Sequence, residues 1–137
     1  MIDECKNLVR NLGINESVTF TGRLDRTDLR TYYSIADVFV HPAIWQEPFG
    51  RTLLEAMSFG IPLIVSNVGA PPQIVENAGL IFKSGDVEDL KRKIELIIDN
   101  DKLRKKMIVN CAVTIKKYEP DNIVGKIVEL YKTVVGM

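Results

Sequence analysis

Two carboxylates and a glycine carry the chemistry that this sequence can offer. Glu47 and Glu55 flank Gly50, Arg51, Thr52 and Leu53 inside the segment that runs from Trp45 to Pro62. Pro48 pushes Glu47 toward extended geometry, whereas Arg51-Thr52-Leu53-Leu54-Glu55-Ala56-Met57 consists of helix formers and stops at Gly60. One acid therefore falls in a loop and the other about one turn into a helix. First-turn N–H groups of a helix lack carbonyl partners and carry a partial positive charge of about half a unit, which suits a phosphate. Gly50, without a Cβ, lets a diphosphate come close to the backbone, and Arg51, Thr52 and Leu53 then offer N–H groups. A phosphate between two carboxylates points to a nucleotide carrying a polyhydroxylated group.

Each of these residues also has a plainer account. Gly50 can be an ordinary turn residue, Glu47 a solvated loop acid, and Glu55 half of an i,i+4 ion pair with Arg51, worth a few tenths of a kcal/mol. His41, the only histidine, ends a short apolar strand where a general base could stand, and serves equally well as a structural hydrogen-bonding residue. Trp45 either lines a pocket or wedges the loop.

The elements that must position these groups alternate between strand and helix, which favours a parallel sheet covered by helices on both faces. A first helix is expected around Asp3–Leu12, with Ile2, Cys5, Leu8, Val9 and Leu12 on one stripe and Gly13 at its end. Ser17–Thr21 alternates as a strand does, and Thr27 can cap a helix through Ala36. Asp37–His41 predicts a short strand, Leu63–Ser66 a buried one, Pro72–Glu76 a helical turn, and Leu80–Phe82 the last of four strands. Asp86 or Val87 opens a helix to about Ile98, Asp99-Asn100-Asp101 caps another that reaches Tyr118, and Pro120 starts a third that ends before Gly136. The D-x-D spacing of Asp99 and Asp101 also occurs in metal–diphosphate sites, but here it joins two segments of helical periodicity, so a cap is the better account.

A chain of 137 residues, 46% apolar and 26% charged, fits one globular domain with a substantial core. Its formal net charge is zero, which gives no reason to invoke nucleic acid or an anionic membrane. Residues 1–86 hold 7 basic and 10 acidic side chains and residues 87–137 hold 11 and 8, a mild basic bias that solvated helix faces explain. There is no apolar run of about 18 residues and no leader, so a cytosolic location is expected. Cys5 and Cys111 lack any metal-ligand spacing and read as two free, buried, reduced thiols.

At Glu47 and Glu55, with seven residues between them, the sequence resembles the E-x7-E element of retaining glycosyltransferases of family 4, which have the GT-B fold of two facing Rossmann-like domains. Ala36-Asp37-Val38-Phe39-Val40-His41-Pro42 is similar to the strand before that element, and Leu54-Glu55-Ala56-Met57 with Gly60, Pro62 and Val65 to the stretch after it. Val68-Gly69-Ala70-Pro71-Pro72-Gln73-Ile74-Val75-Glu76 resembles the family's Gly-Gly-x-Pro-Glu-Ile-Val loop, with Ala70 and Gln73 as departures that put its sugar contacts in doubt, and Ala78-Gly79-Leu80-Ile81-Phe82 resembles the next strand. The match runs from roughly Val18 to Met107.

The resemblance implies an α/β, Rossmann-like donor-binding domain, the carboxy-terminal half of such an enzyme. It would be incomplete at its start, because the family's basic pair and a first strand, helix and Gly-rich turn lie upstream of what this chain contains. It implies that Glu47 contacts the transferred sugar and stabilises charge at the anomeric carbon, and that Glu55 accepts the ribose hydroxyls. Gly50, Arg51, Thr52 and Leu53 would hold the diphosphate, and Gly22 and Arg23 would lie near the nucleobase. The donor would be a UDP- or GDP-linked sugar and the acceptor a sugar, lipid or other carbohydrate. No cofactor and no metal are implied. The rivals are a starch or glycogen synthase, a sugar-nucleotide epimerase of the same fold, and a non-catalytic nucleotide-sugar-binding module. Alone, the chain is expected to transfer no sugar and, with an exposed sheet edge, to self-associate.

Overall fold

The computed structural model describes residues 2–136, which form two compact units, one through Thr31 and one from Tyr32 onward. In the first unit, α1 (Ile2–Asn11) buries none of its residues. Cys5 is therefore exposed, contrary to the expectation of two buried thiols, because the apolar stripe that carries it stays open to solvent. Asn15–Ser17 forms a 3₁₀ turn, and the alternating stretch after it is no strand, since no second strand pairs with it among the described residues. Lys6 instead rests over the Phe20 ring, 5.9 Å from its centroid. The next helix, α2 (Arg26–Ile35), is capped by Asp25 rather than Thr27: its Oδ1 accepts from the N–H groups of Thr27 at 2.8 Å and Asp28 at 2.9 Å.

The second unit is built on three parallel strands in the order β1 (Phe39–His41), β2 (Leu63–Ser66), β3 (Gly79–Phe82). β2 lies at the centre and all four of its residues are buried, as expected for a strand covered on both faces. Register aligns Val40, Ile64 and Leu80 across the sheet, and His41, Val65 and Ile81 in the following row. Since neighbouring residues of a strand point to opposite faces, these rows serve different cores. Ile64 and Phe82 join Ile97 of α5 (Val87–Ile98) and Met107 of α6 (Asp101–Ile115), with Val38, Val40, Leu80, Leu90, Ile94 and Leu103 around them. The opposite face meets α3 (Arg51–Ser58), which buries Leu53, Ala56 and Met57, and α4 (Pro71–Val75), which buries Ile74 and Val75.

Side-chain caps end the connecting loops. Asp86 accepts from the N–H of Asp89 at 2.9 Å to start α5, and Asn100 accepts from that of Leu103 at 2.9 Å to start α6. Asp99-Asn100-Asp101 is thus a helix cap, and Asp101 pairs with Arg104 at 2.6 Å. A 3₁₀ turn, Lys116–Tyr118, leads to α7 (Pro120–Val135), which Gly136 terminates. None of the described helices is long and apolar enough to cross a membrane.

Candidate functional site at the start of α3

The site forms where the chain leaves β1. Beyond His41 the chain runs through Pro42 to Ala43, whose carbonyl accepts two hydroxyl bonds, from Ser66 at 2.7 Å and Ser84 at 3.2 Å. Ser66 ends β2 and Ser84 follows β3, so the carboxyl ends of all three strands are tied to one oxygen. Local sequence reading passed over both serines, since their partner lies 23 and 41 positions away.

Glu47 is fixed on every side by its own loop. Its Oε1 accepts from the N–H groups of Gly50 at 2.9 Å and Phe49 at 3.4 Å, and its Oε2 from the Trp45 indole at 3.3 Å. The Phe49 N–H, the Trp45 and Gly50 bonds and the nearby His41 outweigh partial desolvation and hold the carboxyl below its usual range. Glu47 is therefore an anion suited to facing positive charge, not a proton donor. It is also not the freely solvated acid of the plainer account. Its backbone is gripped as well: the N–H of Ala70 donates to the Glu47 carbonyl at 2.9 Å, and a Cβ on Gly69 would lie 2.5 Å from that oxygen and 2.6 Å from the Glu47 nitrogen. Only glycine permits this approach, and its φ of +73° asks for glycine too.

Two features of the helix start bear on what it can offer a ligand. Gly50 is buried with φ +79°, and the space a side chain would take is filled by Leu53, with Cδ1 at 2.9 Å, and by the Glu47 Cγ at 3.6 Å. Packing inside the protein thus accounts for this glycine without any ligand. Leu53 is not a free donor either, because its N–H bonds the Gly50 carbonyl at 2.9 Å and its side chain is fully buried. The N–H groups of Arg51 and Thr52 have no hydrogen-bond partner among the described residues, and both residues are exposed. These two donors are what the helix start presents to an anion.

Glu55 makes no ion pair with Arg51 among the described residues; its Oε2 accepts from the Tyr33 hydroxyl at 3.2 Å. Burial, together with the charge of Glu55 and this bond, pushes the Tyr33 phenol up to about 12. His41 stands edge-on to Trp45, with centroids 6.5 Å apart, and its buried Nδ1 has no hydrogen-bond partner among the described residues. Trp45 neither wedges the loop nor lines a closed pocket: its ring is largely exposed and its N–H serves Glu47. Phe49 packs against Tyr118 at 5.9 Å, so the turn after α6 braces the loop from outside. Gly22, in the left-handed region, and the exposed Arg23 belong to the first unit, which the structure describes separately from this site. Glu47, Arg51, Thr52, Glu55 and His41 all belong to the second unit.

The parallel sheet and the helices on its two faces have the fold of GT-B glycosyltransferases. The sequence pattern of the family described as glycosyl transferases group 1 matches residues 2–113, and the chain belongs to that family. It is 30% identical over its whole length to an uncharacterized glycosyltransferase of Methanocaldococcus jannaschii, 36% of which it covers. Among solved structures it superposes with a TM-score of 0.83 on a sucrose-phosphate synthase from Thermosynechococcus elongatus, at 29% identity over 98% of this chain and 34% of that one. A second, Anabaena HepE in complex with UDP, matches with a TM-score of 0.84 at 24% identity over 96% of this chain and 36% of that one, a likeness of fold. The chain spans about a third of the length of the curated relatives it matches.

Proposed function

We propose that this chain is the donor-binding part of a two-domain retaining glycosyltransferase of family 4, which moves a sugar from a UDP- or GDP-linked donor to a sugar, lipid or other carbohydrate acceptor without a metal ion. The observation that carries the reading is the pairing of Glu47, held as an anion, with the two free N–H groups of Arg51 and Thr52 one turn away. In this reading those N–H groups take the diphosphate, Glu55 takes the ribose hydroxyls, and Glu47 faces the transferred sugar and the positive charge that develops at its anomeric carbon. Gly50 contributes by shaping the loop. His41, through its position behind Trp45, supports Glu47 rather than acting as a base. Gly22 and Arg23 remain candidates for the nucleobase. The family membership and the UDP-bound fold relative support a nucleotide donor.

The acceptor then belongs to a second Rossmann-like domain. In this reading the parent protein works in the cytoplasm or at the inner face of its membrane, while the 137 residues alone transfer no sugar and self-associate. The test is turnover of UDP- and GDP-sugars by the full-length protein, with the anomeric configuration of the product read by NMR. Transfer with retention is expected. An inverted product would sink the retaining reading, and nucleotide-sugar binding without turnover for any acceptor class would favour the non-catalytic module.

A further inference from the structure

Tyr33 enters neither the sequence motif nor the chemistry assigned above, yet its placement is tightly specified. The residue is only 7% exposed. The ring lies between Phe39 of β1, at 6.0 Å and 41°, and Phe59 at the end of α3, at 5.5 Å and 25°. Aromatic neighbours at these separations lock a ring in position. Held there, the hydroxyl donates to Glu55 Oε2 at 3.2 Å across 22 positions of sequence.

A carboxylate accepts through two oxygens and about four lone-pair sites. Tyr33 occupies one of these at Glu55, whose Oε1 has no hydrogen-bond or ion-pair partner among the described residues. Left to itself, a glutamate on a helix surface samples several rotamers and loses that freedom when it binds. A tyrosine tether removes the freedom in advance. A neutral donor also suits the task better than a cation, since an arginine would compete with the ligand for both oxygens. Burial and the charge of Glu55 keep the phenol protonated well above neutrality, so the donor persists at working pH.

We infer that Tyr33 is a positioning residue for donor recognition: its hydroxyl fixes Glu55 Oε2 so that Oε1 is presented, in one rotamer, to one hydroxyl of the nucleotide's ribose. This rests on the assignment of Glu55 to the ribose made above. The experiment compares wild type, Tyr33→Phe, Phe59→Leu and Glu55→Gln in the full-length protein. Calorimetric titration with UDP and GDP, and with the 2′-deoxy and 3′-deoxy forms of each, accompanies melting curves and steady-state kinetics.

Tyr33→Phe keeps the ring clamp and is expected to weaken ribonucleotide binding about fivefold, the scale of one hydrogen bond. It should leave the affinity for the deoxy form that lacks the contacted hydroxyl unchanged, and raise KM without lowering kcat. Phe59→Leu should give a smaller loss with the same selectivity for the ribonucleotide. Glu55→Gln should weaken ribonucleotides further and abolish the ribose-over-deoxyribose preference. Equal weakening of ribo and deoxy forms by Tyr33→Phe would mean a general structural role and overturn the inference. Wild-type affinity in Tyr33→Phe beside a loss in Glu55→Gln would overturn it while leaving the ribose assignment intact. Wild-type affinity and preference in Glu55→Gln would remove that assignment, and the inference with it.

Discussion

The carboxylate of Glu47 accepts from Phe49, Gly50 and Trp45, all within three positions, whereas that of Glu55 accepts from one hydroxyl that arrives from another element. The first acid is built into its loop and shapes the entry to α3; the second is tethered at one oxygen and open at the other. Removing Glu47 therefore disturbs the backbone of its loop, while removing Glu55 leaves the loop intact and takes the acceptor from the Tyr33 hydroxyl. The two acids of the motif are separable by experiment for that reason.

The sharpest way to break the comparison is to move Glu47 without changing it. Gly69→Ala places a methyl 2.5 Å from the Glu47 carbonyl oxygen, so the loop must shift. Turnover should fall by about a hundredfold or more, as misplacement of reacting groups by roughly 1 Å commonly costs. Unfolding free energy should fall by about 1–3 kcal/mol, typical of forced overpacking, as read by denaturant titration. Turnover within a factor of two of wild type would show that Glu47 need not sit where the loop holds it.

Glu47→Ala should lower kcat by about a hundredfold, comparable to losing one preorganised electrostatic contact, with a smaller change in KM. Glu55→Ala should do the converse, raising KM for the donor about tenfold, near the loss of one charged hydrogen bond, with kcat nearly unchanged. Steady-state kinetics with donor varied at saturating acceptor separates the two signatures. Interchanged signatures would reverse the roles of the acids.

The smallest effect is in acid. Because the folded protein holds the Glu47 carboxyl below its usual range, folding binds that proton less tightly than the unfolded chain does. The residue thus adds stability at pH values above the ordinary carboxylate range and loses it as pH falls through its lowered value. Glu47→Gln should therefore flatten the acid limb of a melting-temperature profile and leave the neutral region the less changed in slope. An acid limb identical to wild type would remove this linkage.

Most of the second unit was legible in the sequence because its signals are local. Leu63–Val65 is an unbroken apolar run, Gly60 and Pro120 punctuate helices, and Asp86 and Asn100 are cap residues directly before apolar periodicity. Ser17–Thr21 misled because alternation reports a side-chain pattern while a strand also requires a neighbour to bond. Thr27 lost the cap to Asp25, whose carboxylate reaches two N–H groups at once. At Leu53 and Gly50 chain order shows that an N–H or an open Cα exists, not which neighbour has already taken it. Tyr33, Ser66 and Ser84 carried no signal at all, since each acts on a partner 22 to 41 positions away.

The carbonyl of Ala43 illustrates what such distant partners entail. Half of its support comes from Ser84, beyond the last strand, so the loop that carries Glu47 cannot be fully secured when β1 and β2 alone have paired. Closing a connection of 41 positions is entropically slower than closing one of 23. The loop that carries Glu47 is therefore completed only once the chain has passed β3, and a chain halted at Phe82 would lack the Ser84 hydroxyl that secures it.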